Sequence, residues 1–201
     1  MSKVKICGLR RIEDIDSVNR VVPDFIGFVF AESRRCVDSD TAARLKERLD
    51  KRIQAVGVFV NQPIDYIAGL YRDEVIDLVQ LHGEEDAGYI CRLRENCGCQ
   101  VIKSVSIDSF LPDTPEAADY ILFDKASKAR GGTGKAFDWN ILQGYNGAAY
   151  FLAGGLDPSS VERAVSLLNP FCVDVSSGVE TDGVKDMAKI ERFVRLVRRV
   201  Q

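Results

Sequence analysis

Short runs of apolar residues alternate with charge-rich amphipathic stretches from one end of the chain to the other. The apolar runs are rich in Val, Ile and Phe, residues that favour β-strands. The runs span residues 3–9, 25–30, 54–60, 76–81, 100–105, 119–124, 148–153 and 171–176. This pattern predicts eight strands.

The stretches between the runs carry apolar residues at the three- and four-residue spacing that is typical of helices. Helices are predicted within residues 12–22, 40–49, 64–71, 84–93, 157–168 and 185–200. Asp157 and Pro158 make a favourable helix start, an N-cap followed by proline at the first helical position. The interval 109–118 contains two prolines, so it supports only a turn or two of helix.

Strict alternation of strands and helices predicts parallel strands joined by right-handed crossovers. Eight such units in 201 residues predict a single (β/α)₈ TIM barrel of the α/β class, one catalytic domain over residues 1–201. An open doubly wound sheet is the alternative, but it usually has a glycine-rich turn after its first strand. Here Cys7-Gly8-Leu9 follows that strand without such a motif.

Composition narrows the classes of function. The net charge is −3 and no basic tract stands out, so no nucleic-acid partner is expected. No apolar run of about 20 residues or N-terminal leader pattern is seen, so we expect no membrane partner and a cytoplasmic location. The six cysteines lack metal-site spacing and there is one histidine, which predicts reduced thiols and no metal.

In a barrel of this kind the active site forms at the carboxyl ends of the strands. Reading only those positions gives a polar and titratable set. Its members are Cys7-Gly8, Ser33-Arg34-Arg35, Asn61, His82-Gly83, Lys103, Asp124, Gly154-Gly155 and Ser176-Ser177-Gly178.

The last two turns of this set predict a phosphate site. Gly154 and Gly155 allow the backbone to approach an anion, and Ser176, Ser177 and Gly178 add hydroxyl and amide groups on the neighbouring strand. Each turn alone would be read as a tight connection between strand and helix. Two of them on the final adjacent strands favour phosphate binding, because barrel enzymes often bind phosphate there.

The glycine-rich segment 131–135 resembles a P-loop but departs from that pattern at Ala129 and Ala136. Nucleotide binding there is therefore not expected. The segment is interpreted as a mobile cover over the site, with a surface loop as the alternative.

Cys7 and Asp124 are the candidate proton-transfer groups. A free cysteine is more often a small buried hydrophobe, but Lys5 and Cys7 share one face of the first strand. If that face points into the barrel, Cys7 lies at the catalytic end, and a nearby cation such as Lys5 or Arg35 favours its thiolate. Asp124 lies at the end of an apolar run. Its alternative roles, in place of catalysis, are to cap a helix or to form an ion pair. Thiol and carboxylate would form a base and acid pair.

Three further residues are candidates for substrate binding. Asp174 lies inside an apolar run and needs a partner, which Lys5, Lys103 or a substrate could supply. Arg35 could bind a substrate carboxylate through a bidentate fork, or be a solvated surface arginine. His82 is the only histidine, and an imidazole satisfied by loop backbone is the alternative to a role with substrate.

Taken together, the motifs resemble the phosphoribosylanthranilate isomerase family over the whole length. They are Lys5-Ile-Cys-Gly-Leu9, Gly27-Phe-Val-Phe30 with Ser33-Arg-Arg35, Val56-Gly-Val-Phe-Val-Asn61, Gln80-Leu-His-Gly-Glu84, Leu122-Phe-Asp124, Gly131-Gly-Thr-Gly134 with Phe137-Asp-Trp139, Ala153-Gly-Gly-Leu156 and Val173-Asp-Val-Ser-Ser-Gly-Val-Glu180. Their order and spacing together make the resemblance specific.

The resemblance implies an Amadori rearrangement of N-(5-phosphoribosyl)anthranilate to 1-(2-carboxyphenylamino)-1-deoxyribulose 5-phosphate in tryptophan biosynthesis. Asp124 would be the general acid and Cys7 the general base. Arg35, His82 and Asp174 would contact the substrate. The phosphate would lie on Gly154, Gly155, Ser176, Ser177 and Gly178. The expected partner is this small phosphorylated molecule, with no cofactor, in a monomer or homodimer.

Two other readings remain at this stage. A related phosphosugar barrel, such as a histidine-pathway ribotide isomerase, usually has an aspartate in the place of Cys7, and indoleglycerol-phosphate synthase needs a longer N-terminal segment. A non-catalytic phosphosugar-binding barrel would keep the phosphate turns and dispense with Cys7 and Asp124. Both residues are present, which favours catalysis.

Overall fold

The computed structural model describes residues 1–125 and 138–200. Eight parallel strands form a closed barrel in sequence order, and β1 closes it by pairing with both β2 and β8. The strands are β1 (Lys3–Cys7), β2 (Phe25–Val29), β3 (Gln54–Phe59), β4 (Leu78–Leu81), β5 (Val101–Ile107), β6 (Tyr120–Lys125), β7 (Tyr150–Leu152) and β8 (Cys172–Val175). All eight predicted strands and the barrel fold are confirmed.

Six α-helices lie among the described residues. They are α1 (Ile12–Val21), α2 (Ser39–Glu47), α3 (Ile64–Arg72), α4 (Ala87–Cys97), α5 (Val161–Leu168) and α6 (Met187–Arg199). Short 3-10 helices span Trp139–Leu142 and Ser177–Val179, and a two-stranded hairpin joins β9 (Glu180–Thr181) to β10 (Val184–Lys185). None of the helices in the described ranges is long and apolar enough to cross a membrane.

Several helix starts differ from the prediction for reasons that the caps explain. Helix α4 begins at Ala87 because the Asp86 carboxylate accepts the backbone N–H of Tyr89. Helix α6 begins at Met187, since Asp186 caps it in the same way. The α5 helix begins at Val161, and Asp157 instead accepts the N–H groups of the turn before it.

The short helix predicted after β5 is wrong. Residues 108–119 form bends and turns and contain no helix. Pro112 and Pro115 lack backbone N–H groups, and each disfavours helical geometry in the residue before it. The link from β5 to β6 is therefore irregular, and Phe110 on it is exposed.

The interior of the barrel has two layers of different chemistry. Towards the amino ends of the strands, inward side chains form an apolar cluster. It comprises Phe25, Val56, Leu78, Ile102, Leu122, Phe151 and Cys172, and Ala153 joins it from just beyond the carboxyl end of β7. Two residues after Leu78 and Cys172, on the same inward faces, lie the polar residues Gln80 and Asp174. Both bond to Lys5 of β1, which also points inward. A separate and larger apolar core lies outside the barrel, between strands and helices.

Candidate active site

Cys7 ends β1 on the face that carries Lys5, which confirms the predicted pairing of these two residues on one side of the strand. Lys5 is fully buried and bonds to Gln80 of β4 and Asp174 of β8, so this face points into the barrel. Opposite Cys7 in β2 stands Gly27, where an added Cβ would lie 2.6 Å from the Cys7 Sγ atom. The glycine therefore makes room for the thiol.

The charge environment of Cys7 contains the predicted cation and one that was not predicted. Burial raises the pKa of the Cys7 thiol, while the ammonium groups of Lys5 and Lys185 oppose that rise. Arg35 is engaged elsewhere and is not among the cations that lower this pKa. The pKa of the thiol is raised on balance, and Lys5 and Lys185 are the groups that favour its thiolate.

Asp124 is the penultimate residue of β6, three strands away from β1 around the barrel. Its Oδ1 atom accepts the N–H of Lys125 at 2.7 Å, and its Oδ2 atom lies 3.8 Å from His82 Nε2. Burial raises the pKa of Asp124, and His82 opposes that rise. A carboxyl group with a raised pKa, about one third exposed at the mouth of the barrel, is suited to donate a proton.

Within residues 1–125 and 138–200, His82 is held by side chains and not by loop backbone. Its Nδ1 atom lies 2.8 Å from Ser104 Oγ and 3.1 Å from Gln80 Nε2. Burial lowers the pKa of His82, while Asp124 opposes that change. The ring therefore favours the neutral form and turns its other nitrogen towards Asp124.

Asp174 pairs with Lys5, which settles one of the alternatives left open by the sequence. The Lys5 Nζ atom lies 2.9 Å from Asp174 Oδ2. The other oxygen of Asp174, Oδ1, is buried and has no hydrogen-bond partner among the described residues. Such an acceptor is costly to leave unsatisfied, so it marks a place where a donor from a bound molecule would be stabilising.

Lys103, the other lysine considered as a partner for Asp174, has a different role. Its Nζ atom donates to the Gly83 carbonyl at 2.6 Å and to Glu85 Oε2 at 2.9 Å. Glu85 also accepts the backbone N–H groups of Gly83 and Asn61. This buried ion pair fixes the turn after β4 and hence the backbone that carries His82.

Arg35 makes a bidentate contact, but with a residue of the protein. Its Nε and Nη2 atoms donate to the two oxygens of Glu180 at 2.7 and 2.9 Å. Glu180 also accepts from Arg34 and from the buried Lys185. One edge of the Arg35 guanidinium is thus occupied, and the remaining edge is oriented by Glu180, a residue that the sequence reasoning passed over.

The two glycine-containing turns that follow β7 and β8 pack against each other. Gly154 and Gly155 adopt φ angles of +84° and +76°, a region where other residues are strained. A side chain at Gly178 would overlap the carbonyl oxygen of Leu156, so the second turn needs glycine as well. The Ser176 hydroxyl donates to the Cys7 carbonyl at 3.0 Å, which ties this turn to β1.

The remaining expectations concern metal and the glycine-rich segment. In the described ranges, no group of three or more His, Cys, Asp or Glu side chains could hold a metal ion. All six cysteines are free. The segment 131–135, predicted to cover the site, lies outside the described residues.

Comparison with known proteins agrees with this architecture. The family model for N-(5′-phosphoribosyl)anthranilate (PRA) isomerase matches residues 4–196. The isomerase of that name from Endomicrobium trichonymphae is 50% identical over 199 residues, which cover 98% of this chain and 99% of that one. The isomerase from Caldanaerobacter subterraneus subsp. tengcongensis is 46% identical over 205 residues, with both chains fully covered.

Solved structures give the same result. The phosphoribosyl anthranilate isomerase of Thermotoga maritima superposes with a TM-score of 0.87 at 33% identity, covering 99% of this chain and all of that one. A phosphoribosyl anthranilate isomerase in complex with reduced 1-(o-carboxyphenylamino)-1-deoxyribulose 5-phosphate superposes with a TM-score of 0.83 at 31% identity, with 99% and 100% coverage. This chain therefore belongs to the N-(5′-phosphoribosyl)anthranilate isomerase family and catalyses the Amadori rearrangement of tryptophan biosynthesis.

Proposed function

We propose that Asp124 and Cys7 carry the two proton transfers of this rearrangement, Asp124 as general acid and Cys7 as general base. The observation that carries the proposal is their placement. A carboxyl group with a raised pKa and a thiol beside a buried ammonium group lie at the carboxyl-end regions of two strands of one barrel. This is the end where barrel enzymes perform their chemistry.

In the first step Asp124 donates its proton to the ring oxygen of the ribose. The bond between that oxygen and C1′ breaks, and the lone pair of the anthranilate nitrogen forms a C1′–N iminium. The raised pKa of Asp124 supports this role, because the group must hold a proton near neutral pH until the ring oxygen takes it.

In the second step Cys7, as its thiolate, removes the proton from C2′. The C2′–H electron pair forms the C1′–C2′ double bond and neutralises the iminium, giving an enolamine that tautomerises to the ketone. Lys5 lowers the pKa of Cys7 against the effect of burial, and thus favours the thiolate that this step requires. Aldose and ketose are isomers, so proton transfers balance the reaction without a cofactor.

We assign substrate binding to the groups around this pair. The buried Oδ1 of Asp174 has no donor in the part of the chain that the structure describes, and it suits a sugar hydroxyl. The other edge of the Arg35 guanidinium, which Glu180 does not contact, suits the anthranilate carboxylate. His82 adjoins Asp124 at the mouth. The phosphate is assigned to the paired turns, with Gly154, Gly155, Ser176, Ser177 and Gly178 presenting backbone and hydroxyl groups.

The proposal extends to the compartment and the oligomeric state of the protein. Six free cysteines support a reducing compartment, and hence the cytoplasm. A monomer or homodimer is proposed, and the relative from T. maritima is described as dimeric, with engineered monomers.

The experiment that tests the roles follows loss of substrate fluorescence in EDTA, with phosphoribosylanthranilate generated from anthranilate and phosphoribosyl pyrophosphate by the upstream transferase. We expect Cys7→Ser and Asp124→Asn each to reduce kcat by about 10²-fold or more. Cys172→Ser, which changes another buried thiol in the lower layer, is the matched control and should retain most of the activity. Wild-type rates in both site variants would reject the assignment.

A further inference from the structure

A chain of polar side chains crosses the barrel from β1 to β6. The Lys5 Nζ atom donates to Gln80 Oε1 at 2.7 Å, and the Gln80 Nε2 atom lies 3.1 Å from His82 Nδ1. On the far side of the ring, His82 Nε2 faces Asp124 Oδ2 at 3.8 Å. The roles proposed above use the two ends of this chain but give no task to Gln80.

Lys5 determines which way the Gln80 amide points. An ammonium group only donates hydrogen bonds, so the atom of Gln80 that faces it must be the carbonyl oxygen. Asp174 holds Lys5 in place at 2.9 Å, and this carboxylate, opposing the effect of burial, raises the pKa of Lys5 above its ordinary value. The ammonium is therefore permanent, and Gln80 turns its NH₂ group to His82.

An NH₂ group facing Nδ1 decides where the proton of His82 resides. The Gln80 nitrogen only donates, so Nδ1 must accept, and the single proton of the neutral ring is placed on Nε2. Ser104 Oγ, 2.8 Å from Nδ1, is compatible because it accepts from Gln80 and donates to the ring. A hydroxyl could also accept from Nδ1–H, so Ser104 alone would leave the tautomer open.

We propose that Gln80, oriented by the Lys5–Asp174 ion pair, is a positioning residue that fixes His82 as the neutral Nε2–H tautomer and so keeps the acid proton on Asp124. In that tautomer the nitrogen facing Asp124 already carries a hydrogen and cannot take another. Nδ1 cannot be protonated without placing two donors against each other. His82 can then donate to the carboxylate that remains after Asp124 has protonated the sugar ring.

Other charged groups also act on the ring. Asp124 from β6 and Asp174 from β8 favour the imidazolium, whereas Lys5 from β1 and Lys103 from β5 disfavour it. These charges bear on the total protonation of the ring. Asp124 Oδ2 faces Nε2 and so also favours a proton on that nitrogen, and variants of Gln80 separate the contribution of Gln80 from that of Asp124.

The chain offers a direct test, because His82 is its only histidine. Nitrogen NMR of protein labelled with ¹⁵N-histidine reports the protonation of Nδ1 and Nε2 separately, without substrate. We expect a protonated Nε2 and an unprotonated Nδ1 in the wild type, persisting below the ordinary histidine pKa of about 6.5. An Nδ1–H tautomer or an imidazolium at neutral pH in the wild type would overturn the proposal. This measurement uses the wild-type protein, so it does not depend on whether a variant folds.

Substitution sharpens the test. Gln80→Glu replaces the donor at Nδ1 with an acceptor, so we expect a protonated Nδ1 and a His82 pKa raised by about one unit or more. The kcat at neutral pH should fall by about tenfold or more, with a smaller change in KM and a displaced acidic limb of the pH profile. Gln80→Met, which removes the donor at similar size, should give a mixture of tautomers.

Leu78→Val is the matched control, since Leu78 lies two residues earlier on the same inward face of β4 and has no part in the chain. It should leave both the NMR signature and kcat close to wild type. Unchanged His82 signals in Gln80→Glu would overturn the proposal.

Only the predicted effect on rate rests on the proposed function, in which Asp124 is the general acid; the tautomer of His82 does not. Full activity of Asp124→Asn would therefore reject the proposed function while the NMR result still decides the tautomer.

Discussion

The two interior layers of the barrel share the same eight strands and the same lack of solvent, yet they are built from opposite chemistry. The layer near the amino ends of the strands is apolar, with Phe25 and Phe151 in ring contact at 5.5 Å. The layer above it buries Lys5, Gln80 and Asp174. Burial stabilises the first layer by removing apolar surface from water. In the second layer burial is a cost that each polar group must offset with a partner.

The difference shows that the molecule keeps buried polar groups, which burial destabilises, in the layer next to the active site. In the lower layer an apolar side chain can be replaced by another of similar volume with little loss of stability, because apolar packing is not directional. The upper layer depends on particular donor and acceptor pairs, and one of its atoms, Asp174 Oδ1, has no partner in the described ranges. Substitutions in the two layers should therefore separate effects on stability from effects on turnover.

The largest effect is expected for Lys5→Met. Removing the ammonium leaves the buried Asp174 carboxylate uncompensated, which should cost about 3–5 kcal/mol of unfolding free energy. It also releases the Gln80 amide and removes the cation beside Cys7, so turnover should fall too. Urea unfolding measures the first effect. The double variant Lys5→Met/Asp174→Leu should recover much of the stability but not the activity, and failure to recover any would contradict this account.

Leu122→Ala makes the matching change in the lower layer. A fully buried leucine truncated to alanine loses about 2–5 kcal/mol, depending on how far the cavity collapses. Because Leu122 lies one layer below the site, kcat measured well below the melting temperature should stay within about twofold of wild type. A fall in kcat comparable to that of Lys5→Met would show that the two layers do not separate structure from chemistry.

A pH-dependent effect is expected from Glu180, whose ion pairs orient Arg35. Burial alone would raise its pKa, but hydrogen bonds from Arg35 and Lys185 hold the pKa at about 2 in the folded state, below the ordinary 4.5. A lowered carboxylate pKa stabilises the protein above the ordinary value, and this contribution is lost as the pH falls from about 4.5 to about 2.

Glu180→Gln should therefore lower stability at neutral pH by at most about 3 kcal/mol, and the gap to wild type should narrow through that acid window. Unfolding curves at a series of pH values measure this. KM should rise as Arg35 loses its orientation. A constant gap from pH 7 to pH 2 would argue against the assigned pKa.

The smallest effect is expected for Arg34→Ala. Arg34 contacts the same glutamate at 3.0 Å, but its side chain is 62% exposed against 21% for Arg35. An exposed ion pair contributes about 0–1 kcal/mol, so stability and KM should change little. Steady-state kinetics of Arg34→Ala beside Arg35→Ala measures the contrast. Equal losses in the two variants would remove the distinction between a positioned arginine and a solvated one.

The sequence predicted the barrel because each strand is marked by its own local apolar run and each crossover by helical spacing. It also predicted the residues that end the strands, since topology alone carries Cys7 and Asp124 to the same face. The starts of α4 and α6 were missed because single capping aspartates decide them. The interval 109–118 forms no helix at all, because its two prolines lack backbone N–H groups and disfavour helical geometry in the residues before them.

What the sequence could not supply is the pairing across the barrel. Lys5 meets Gln80 and Asp174, Lys103 meets Glu85, and these choices depend on strand tilt and register and not on local pattern. The role of Glu180 likewise depends on tertiary structure, because it begins the hairpin that brings Lys185 beside it and also contacts Arg35 from the turn after β2. One signal was available: Gly27 inside an apolar strand indicates close approach of another group, here the Cys7 thiol.

Single-turnover kinetics with phosphoribosylanthranilate deuterated at C2′ tests most directly whether Asp124 opens the ring and Cys7 deprotonates C2′. We expect a large primary isotope effect in Cys7→Ser, where deprotonation limits the rate. In Asp124→Asn the effect should be suppressed, because ring opening limits the rate. A large isotope effect in Asp124→Asn together with none in Cys7→Ser would contradict the assignment.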